Sequence, residues 1–587
     1  MKASSTQAAL HPAGRSKAVE ALLALVFLLS LGLFPWLALG PLGGTIVSPL
    51  LRVLVFALVA AGGAACLRAL WPGRSLAFCA LASVLINAGV YRLAAFIPEL
   101  STYPLSLGWS EASRFYYASL FFSKQVYGIE APPSVLHPTR YLMQSVPFLL
   151  SASPLWLHRL WQVLLWAVFT LLVSVAVAKR LELPGRLERL LLIVWAGLFL
   201  LQGPVYYHLL VMPLVVLLGF DQRRFWRSLV VVLVASLWAG LSRINWLPVP
   251  GMLAATIYLL EVKQGERPVW KYLLPPAAWL LLGTAAGWIS QEAYKLWSGN
   301  PPELFGSSFS SDLLWYRLFP SRTYLLGVLP AAVLVSAPVL LAVIFRLYRK
   351  WRNYHPVRLL GLAGMLFVLF AGGVVVSAKI GGGSNLHNLD AYLVLLLVTG
   401  SWVAFGRFRE DTPQTETPRP IPGSLAWLAV AAPVLFAVTT AGPLQMRPVN
   451  QAQAAIERLQ ALSTETVQSG QEVLFISERQ LLTFDTLKGV PLAPDYEKVF
   501  LMEMAMSANR AYLDQFHSDL RTRRFGLIVT HPLRIQYQGR SHQFGEENDA
   551  WVQHVSEPVL CYYEVAEDFP GLELQVLKPK ANPGDCP

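Results

Sequence analysis

The sequence predicts a polytopic α-helical membrane protein with a small C-terminal α/β domain. Of its 587 residues, 55% are apolar and only 14% are charged, whereas a soluble globular domain usually carries about 25% charged residues. Thirteen apolar segments follow one another up to residue 442, and most approach the roughly 20 residues that a membrane-spanning helix needs. The predicted domains are therefore a transmembrane domain, 1–445, and an extracytoplasmic α/β domain, 446–587.

The predicted spans lie near 19–40, 46–70, 75–97, 154–178, 187–203, 205–220, 226–243, 246–261, 272–291, 324–346, 357–378, 389–406 and 424–442. The positive-inside rule orients them, because lysine and arginine concentrate in every second connecting segment. This places the N-terminus in the cytoplasm, and the loops 98–153, 291–323 and 379–388 outside with the C-terminal domain. The first apolar run has no clear small-residue cleavage site, so we expect a retained helix.

The C-terminal region alternates buried-strand and helical patterns, as in a small layered α/β domain. Helices are expected at 451–467 and within 496–521, and strands at 472–476, 525–530, 559–565 and 572–577. The region has no glycine-rich phosphate-binding motif.

The four cysteines fall into two pairs with different surroundings. Cys66 and Cys79 lie in apolar segments and are expected to be inert buried thiols. Cys561 and Cys586 lie in the region placed outside, where disulfides persist, so we predict that they are bonded to each other. The net charge of +12 does not suggest nucleic acid as a partner, because the excess lies in short loops between apolar segments.

The loop 98–153 gathers ionisable and aromatic side chains between two apolar segments. Ser110 is a good N-cap, so Glu111 is expected to begin a helix whose dipole stabilises its carboxylate. In one interpretation Glu111 is a general base that takes the proton of an acceptor hydroxyl. In the other, it is a first-turn acid paired with Arg114 three residues later.

Further candidates for substrate binding lie in the same loop, and Arg114 is one of them. Tyr117 lies on the aromatic helix that Glu111 begins, and Pro138 is expected to hold His137 in an extended conformation. Arg140 either binds a phosphate or contacts lipid headgroups. His137 is either a hydrogen-bond donor at a site or a capped loop residue.

Two later turns complete the candidate site. Arg243, beside Asn245, either snorkels at the membrane edge or holds an anionic headgroup. Lys379 precedes three glycines at 381–383, whose backbone amides could contact an anion, and the same turn contains Asn385, His387 and Asn388. None of these clusters has zinc-site spacing. The sequence implies no definite cofactor, and a divalent cation at Glu111 with a second carboxylate remains an open alternative.

These motifs resemble those of the GT-C superfamily of integral-membrane glycosyltransferases, such as the dolichyl-phosphate-mannose mannosyltransferases. The resemblance covers roughly residues 1–445. It rests on an acidic residue before an aromatic helix, Trp109-Ser110-Glu111 to Tyr116-Tyr117, then His137-Pro138 and the glycine-rich turn Gly381–Asn388. The chain differs in having a lone Glu111 after Ser110 and two extra spans before that loop.

The resemblance implies a sugar donor linked to polyprenyl phosphate and a glycan, lipid or protein acceptor. Glu111 would be the base, and Arg243 and Lys379 would bind the lipid phosphate. We therefore expect a glycosyltransferase at the outer face of a bacterial plasma (inner) membrane. The alternatives are a lipid-linked glycan flippase or exporter, which predicts a charged path through the spans, and a glycan polymerase that uses the same outer loops.

Overall fold

The computed structural model describes residues 16–150, 152–348, 350–382, 386–412, 421–583 and 586. The α-helices are α1 Lys17–Leu39, α2 Pro49–Leu70, α3 Leu76–Ala94, α4 Glu111–Ser119, α5 Ser123–Tyr127, α6 Pro138–Gln144, α7 Leu155–Leu181, α8 Arg186–Gln202, α9 Tyr207–Gly219, α10 Phe225–Gly240, α11 Val249–Glu261, α12 Val269–Trp297, α13 Ser307–Ser310, α14 Val328–Leu347, α15 Pro356–Ser377, α16 Asp390–Ala404, α17 Gly423–Thr439, α18 Val449–Gln468, α19 Gln480–Thr483, α20 Lys498–Met506, α21 Arg510–Arg521, α22 Gly545–Trp551 and α23 Glu557–Tyr562. The strands are β1 Glu472–Phe475, β2 Phe525–Thr530, β3 Tyr563–Phe569 and β4 Leu574–Pro579.

All of the predicted apolar segments form helices, namely α1–α3, α7–α12 and α14–α17. Within the described part of the chain, eight helices are long and apolar enough to cross a membrane, so the protein is membrane-embedded. They are Lys17–Leu39, Pro49–Leu70, Leu76–Glu99, Leu155–Leu181, Val269–Trp297, Val328–Leu347, Pro356–Ser377 and Leu386–Ala404. Other apolar helices are shorter, such as α9 with 13 residues, and thirteen crossings therefore stay a prediction.

Contacts divide the chain into two compact units at positions other than the predicted boundary at 445/446. The smaller unit contains the chain up to Ala95 together with Pro433–Leu444, and the larger contains Phe96–Ala432 together with Gln445–Pro587. In the smaller unit, Arg52 hydrogen-bonds the Tyr91 hydroxyl and donates to the carbonyl of Ala441 at 2.5 Å. These bonds join α2 and α3 to the segment after α17.

Helices α11 and α16 are enclosed by the larger unit. Every residue of α11 from Val249 to Leu260 is buried, and α16 is 94% buried over its apolar stretch. A helix that is apolar on all sides requires such an enclosed position. Asp390 begins α16 and Trp246 directly precedes α11, and the Trp246 Nε1 donates to the Asp390 carboxylate at 2.9 Å. The N-terminal ends of α11 and α16 therefore lie next to each other.

The C-terminal region folds as a four-stranded sheet in the order β1-β2-β4-β3, with β1 and β2 parallel and the other neighbours antiparallel. The predicted strands at 472–476 and 525–530 are confirmed as β1 and β2. The prediction of a strand at 559–565 is wrong over its first half, because Val559 to Tyr562 belong to α23. Pro558 at the first turn of that helix favours helical geometry, and β3 starts only at Tyr563.

The loop 98–153 and the C-terminal region share one hydrophobic core. The loop contributes Tyr103, Leu105, Tyr116, Tyr117, Leu120 and Tyr141, and the C-terminal region contributes residues of α18, β1, β2 and β4 such as Leu459, Phe475, Val529 and Val576. Burial of aromatic side chains of this size is a large stabilising term. The two segments therefore fold as one body.

The predicted disulfide is confirmed. Cys561 and Cys586 are bonded, with their Cα atoms 5.7 Å apart. The bond ties the chain end to α23, immediately before β3, rather than to a strand. Cys79 is a buried free thiol as expected, whereas Cys66 is only partly buried.

Candidate anion-binding site

Arg140 is the central cation of a site at one end of the helical bundle. Its guanidinium carbon lies 4.7 Å from the centre of the Tyr206 ring and 5.8 Å from that of Tyr141. Burial raises the pKa of the Tyr141 hydroxyl, and the charges of Arg140 and Arg114 oppose that shift. Among the described residues neither arginine pairs with a carboxylate, and the Nε of each is buried without a hydrogen-bond partner. An uncompensated buried cation is costly unless an anion joins it.

His137 docks the start of α6 against the turn between α10 and α11. The expectation of an extended His137 is wrong, because its φ of 51° and ψ of 49° are left-handed. Its Nδ1 bonds the carbonyl of Ser242 at 2.8 Å, and the backbone N–H of Thr139 donates to the carbonyl of Leu241 at 3.3 Å. These tertiary bonds outweigh the local preference of a residue before proline.

The protonation of His137 follows from these contacts. A carbonyl only accepts, so Nδ1 carries the proton and Nε2 is the acceptor. Burial lowers the pKa of His137 to about 4, and the charge of Arg243 adds to the effect. The ring is therefore neutral at pH 7, and the positive charge of the site is carried by arginine.

Arg243 is held in place by the start of α16. It donates to the Asp390 carboxylate at 3.0 Å and to the Asn388 side-chain oxygen at 2.5 Å. Its side chain is 16% exposed, whereas that of Asp390 is fully buried. The predicted neighbour Asn245 has a buried side-chain oxygen without a hydrogen-bond partner in the described part of the chain. Arg243 is thus an oriented, charge-compensated cation beside the uncompensated pair Arg114 and Arg140.

The start of α9 supplies the walls of the site. The Tyr206 ring lies 5.8 Å from that of His208 and 6.2 Å from that of His387, and the His137 and His208 rings are 6.2 Å apart. Among the described residues, both ring nitrogens of His208 are buried without hydrogen-bond partners, whereas the Tyr207 hydroxyl interacts with Arg140. We call the following set of residues the polar cluster: Arg114, Arg140, Arg243, His137, His208, His387, Tyr206 and Tyr207. Its unpartnered donors and excess positive charge suit an oxyanion such as a phosphate.

The described contacts of Lys379 lie outside the polar cluster. Burial lowers the pKa of Lys379, and the carboxylate that opposes the shift is Glu503 of α20. The Gly381 amide donates to Glu547 at 2.8 Å, so it is not available to an anion. Asn385 lies outside the described residues. Of the glycine-rich turn, the structure therefore brings His387 and Asn388 to the polar cluster.

Glu111 is paired with a residue that the sequence did not suggest. Arg159 of α7 donates from Nε and Nη2 to its two carboxylate oxygens, each at 3.0 Å. The pair is buried, with 1% and 7% of the side chains exposed. Arg159 also donates to the carbonyls of Ser101 and Tyr103, each at 2.7 Å. Glu111 therefore stabilises the closed conformation of the loop through its ion pair with Arg159. The expected pairing with Arg114 is not found among the described residues.

Tyr117 connects the polar cluster to the C-terminal region. Its ring centre lies 5.1 Å from that of Tyr141, and its hydroxyl donates to Glu497 at 2.6 Å. Burial and the Glu497 charge raise the pKa of Tyr117 well above its usual value, so the hydroxyl stays protonated. Glu497 also accepts from Ser113 and caps the N-terminus of α20. The sequence did not single out Glu497, because its partners are about 380 residues away.

No three acidic, histidine or cysteine side chains come together as a metal site within the described part of the chain. No protein-family model matches the chain, and no curated protein matches it. The geometry of the polar cluster is therefore the main support for a function.

Proposed function

We propose that the protein is a membrane glycosyltransferase whose donor is a sugar linked to polyprenyl phosphate. The observation that carries the proposal is the polar cluster, where Arg114 and Arg140 lack carboxylate partners among the described residues. A phosphate bound there would compensate both charges, and the apolar helices around the site would accommodate the polyprenyl chain. The resemblance to GT-C enzymes supports the same class of donor.

The polar cluster would act mainly on the leaving group. The acceptor oxygen attacks the anomeric carbon, the bond from that carbon to the phosphate oxygen breaks, and polyprenyl phosphate leaves with the bonding electrons. The acceptor proton passes to a base. Charge then develops on the phosphate, where Arg140 and the oriented Arg243 stabilise it. Since the His137 ring is neutral, it adds no positive charge to the site. Its Nε2 is instead available as a hydrogen-bond acceptor.

The proposed topology follows the same reasoning. The polar cluster includes α6 from the loop 98–153, which shares its core with the C-terminal region. We propose that both face the outside of a bacterial plasma membrane, with thirteen crossings and a cytoplasmic N-terminus. An even number of crossings between residue 153 and residue 446 is what a common side requires.

Binding of a polyprenyl phosphate to the purified protein tests the donor site. Arg140→Ala is expected to weaken binding by at least about tenfold, which corresponds to 1.4 kcal/mol. Arg352→Ala is the control, since Arg352 also lies over an aromatic ring, at 5.4 Å from that of Trp351, and belongs to another loop. Equal affinity in all three proteins would exclude the polar cluster as the phosphate site.

Release of polyprenyl phosphate from a polyprenyl-phosphate sugar separates the enzyme from its alternatives. The transferase releases one lipid phosphate for every sugar transferred. A flippase or exporter moves the lipid and releases none, and a polymerase yields products that lengthen by repeat units. Transport without release would therefore overturn the proposal.

A further inference from the structure

Besides the polar cluster, a cavity lies between the loop 98–153 and the C-terminal region. Its volume is about 420 Å³, within the range of small-molecule pockets. Its walls come from α4, the prolines at 132–133, the segment 300–304, the start of α20 and the exposed face of α21.

The lining combines aromatic rings with hydrogen-bond acceptors. Tyr116, Phe500 and Tyr512 supply rings, and Glu303, Asn300 and Gln515 supply carboxylate and amide oxygens. None of the described residues that line the cavity is lysine, arginine or histidine. A phosphate would therefore meet carboxylates without a cation, so the cavity does not suit the lipid phosphate.

A neutral saccharide fits this chemistry. Its C–H faces are apolar and pack against aromatic rings, and its hydroxyls donate hydrogen bonds to oxygen acceptors. Pockets of this kind orient a ligand with a few placed polar groups on an aromatic wall. The negative lining would favour an ammonium group as well, but Asp495 is partly neutralised by Arg524 at 3.1 Å and Glu497 is occupied by hydroxyl and amide donors. The third carboxylate of the lining, Glu303, is exposed, so water screens its charge.

Two neighbouring tyrosine side chains connect the cavity to the polar cluster. Tyr117 lines the cavity, and its ring lies 5.1 Å from that of Tyr141. The Tyr141 ring in turn lies 5.8 Å from the Arg140 guanidinium. Two tyrosine rings, those of Tyr117 and Tyr141, would thus separate a ligand in the cavity from a phosphate at Arg140.

We propose that this cavity binds the acceptor and that the acceptor is a neutral, hydroxyl-rich saccharide. The inference rests on the proposed function, since it names the acceptor class of the same reaction. Tyr117 and Glu497 form the boundary between acceptor and donor. The cavity excludes the donor phosphate and orients an acceptor hydroxyl towards it.

Blocking the cavity tests the proposal. Ala511 is an exposed residue of α21 that lines it, so Ala511→Trp fills the space without removing a core side chain. Ala454→Trp in α18 is the matched control, since Ala454 is also an exposed helical alanine and does not line the cavity. The probes are a panel of neutral monosaccharides and disaccharides, glucosamine and glucose 6-phosphate. Their binding is followed by saturation-transfer NMR on the full-length protein in nanodiscs.

We expect at least one neutral saccharide to bind, to lose its signal in Ala511→Trp and to keep it in Ala454→Trp. Stronger binding of glucosamine than of every neutral sugar would instead identify an ammonium site and overturn the inference. Absence of neutral-sugar binding, or binding retained in Ala511→Trp, would also overturn it.

Polyprenyl phosphate binding in the same variants separates this proposal from the proposed function. Ala511→Trp should leave it unchanged, whereas Arg140→Ala should weaken it and leave saccharide binding intact. If no variant affects phosphate binding, the donor site fails and the saccharide cavity stands by itself.

Discussion

At the scale of single residues, the two interpretations of Glu111 lead to opposite expectations. A free carboxylate would accept a proton from the acceptor. The observed carboxylate is engaged at both oxygens by Arg159 and is only 7% exposed, so an acceptor hydroxyl would have to displace a guanidinium. The base assignment stays a prediction, and the geometry favours loop closure.

Glu111→Gln is expected to lower the free energy of unfolding by about 3–5 kcal/mol, because it leaves the buried Arg159 charge without its partner. Thermal unfolding in detergent measures the change. Glu111→Gln combined with Arg159→Met should recover part of the loss, since the pair is then removed together. A stable Glu111→Gln protein that binds donor but transfers no sugar would instead restore Glu111 as the base.

A second residue-scale prediction concerns Lys498, which is 2% exposed and has no hydrogen-bond partner for its ammonium among the described residues. Its Nζ lies 5.0 Å from the centre of the Trp109 ring. Burial lowers the pKa of Lys498, although the charges of Glu478 and Glu497 oppose the shift. Lys498→Met is therefore expected to be neutral or stabilising.

The pH dependence gives a sharper test of Lys498. Between its lowered pKa in the folded protein and about 10.4 in the unfolded chain, the unfolded state binds more protons, so stability rises with pH. Lys498→Met should remove that rise, and Lys488→Met, at an exposed lysine, should keep it. Parallel curves for the two variants would show that Lys498 does not titrate in this way.

At the scale of elements, the disulfide closes the last strand pair. Cys561 precedes β3, and the 25-residue separation to Cys586 encloses both β3 and β4. A loop of this length corresponds to about 3.5 kcal/mol in the chain-entropy model. The bond therefore restricts the conformations that the segment containing β3 and β4 can adopt in the unfolded state.

Replacement of both cysteines by serine should lower the unfolding midpoint of the C-terminal region, and reductant should have the same effect on the parent protein. Reductant should have no further effect on the double variant. Hydrogen exchange of β3 and β4 reports the change locally. Equal exchange in both proteins would mean that the sheet is held by its strands alone.

At the scale of the whole molecule, the common core of the loop 98–153 and the C-terminal region predicts that both lie on the same side of the membrane. Lys124→Cys in the loop and Lys488→Cys in the C-terminal region replace exposed side chains. An impermeant thiol reagent should label both from the same side, outside the cell. Arg224→Cys, in a connection predicted to be cytoplasmic, should be labelled only after permeabilisation. Labelling of the first two from opposite sides would separate the two segments.

Much of the fold follows from the sequence because it depends on neighbours along the chain. Apolar runs gave the helices α1–α3, α7–α12 and α14–α17, and the largely buried strands β1 and β2 were recognisable from composition. The strand predicted at 559–565 failed because a short apolar run does not distinguish strand from helix. The cysteine pair was predictable because only two cysteines lie in the region placed outside.

The sequence by itself determined the membrane class, the helical segments, the disulfide and six of the residues that meet at the polar cluster, namely Arg114, His137, Arg140, Arg243, His387 and Asn388. Only the tertiary structure decided the partner of Glu111, 48 residues away, the pairing of Arg243 with α16, 147 residues away, and the contact of Ser113 with Glu497, 384 residues away. Charge compensation depends on which side chains meet after folding, and local patterns carry no information about such distant pairs. For that reason, the sequence indicated where charged groups lie, and the fold decided which of them remain free to bind an anion.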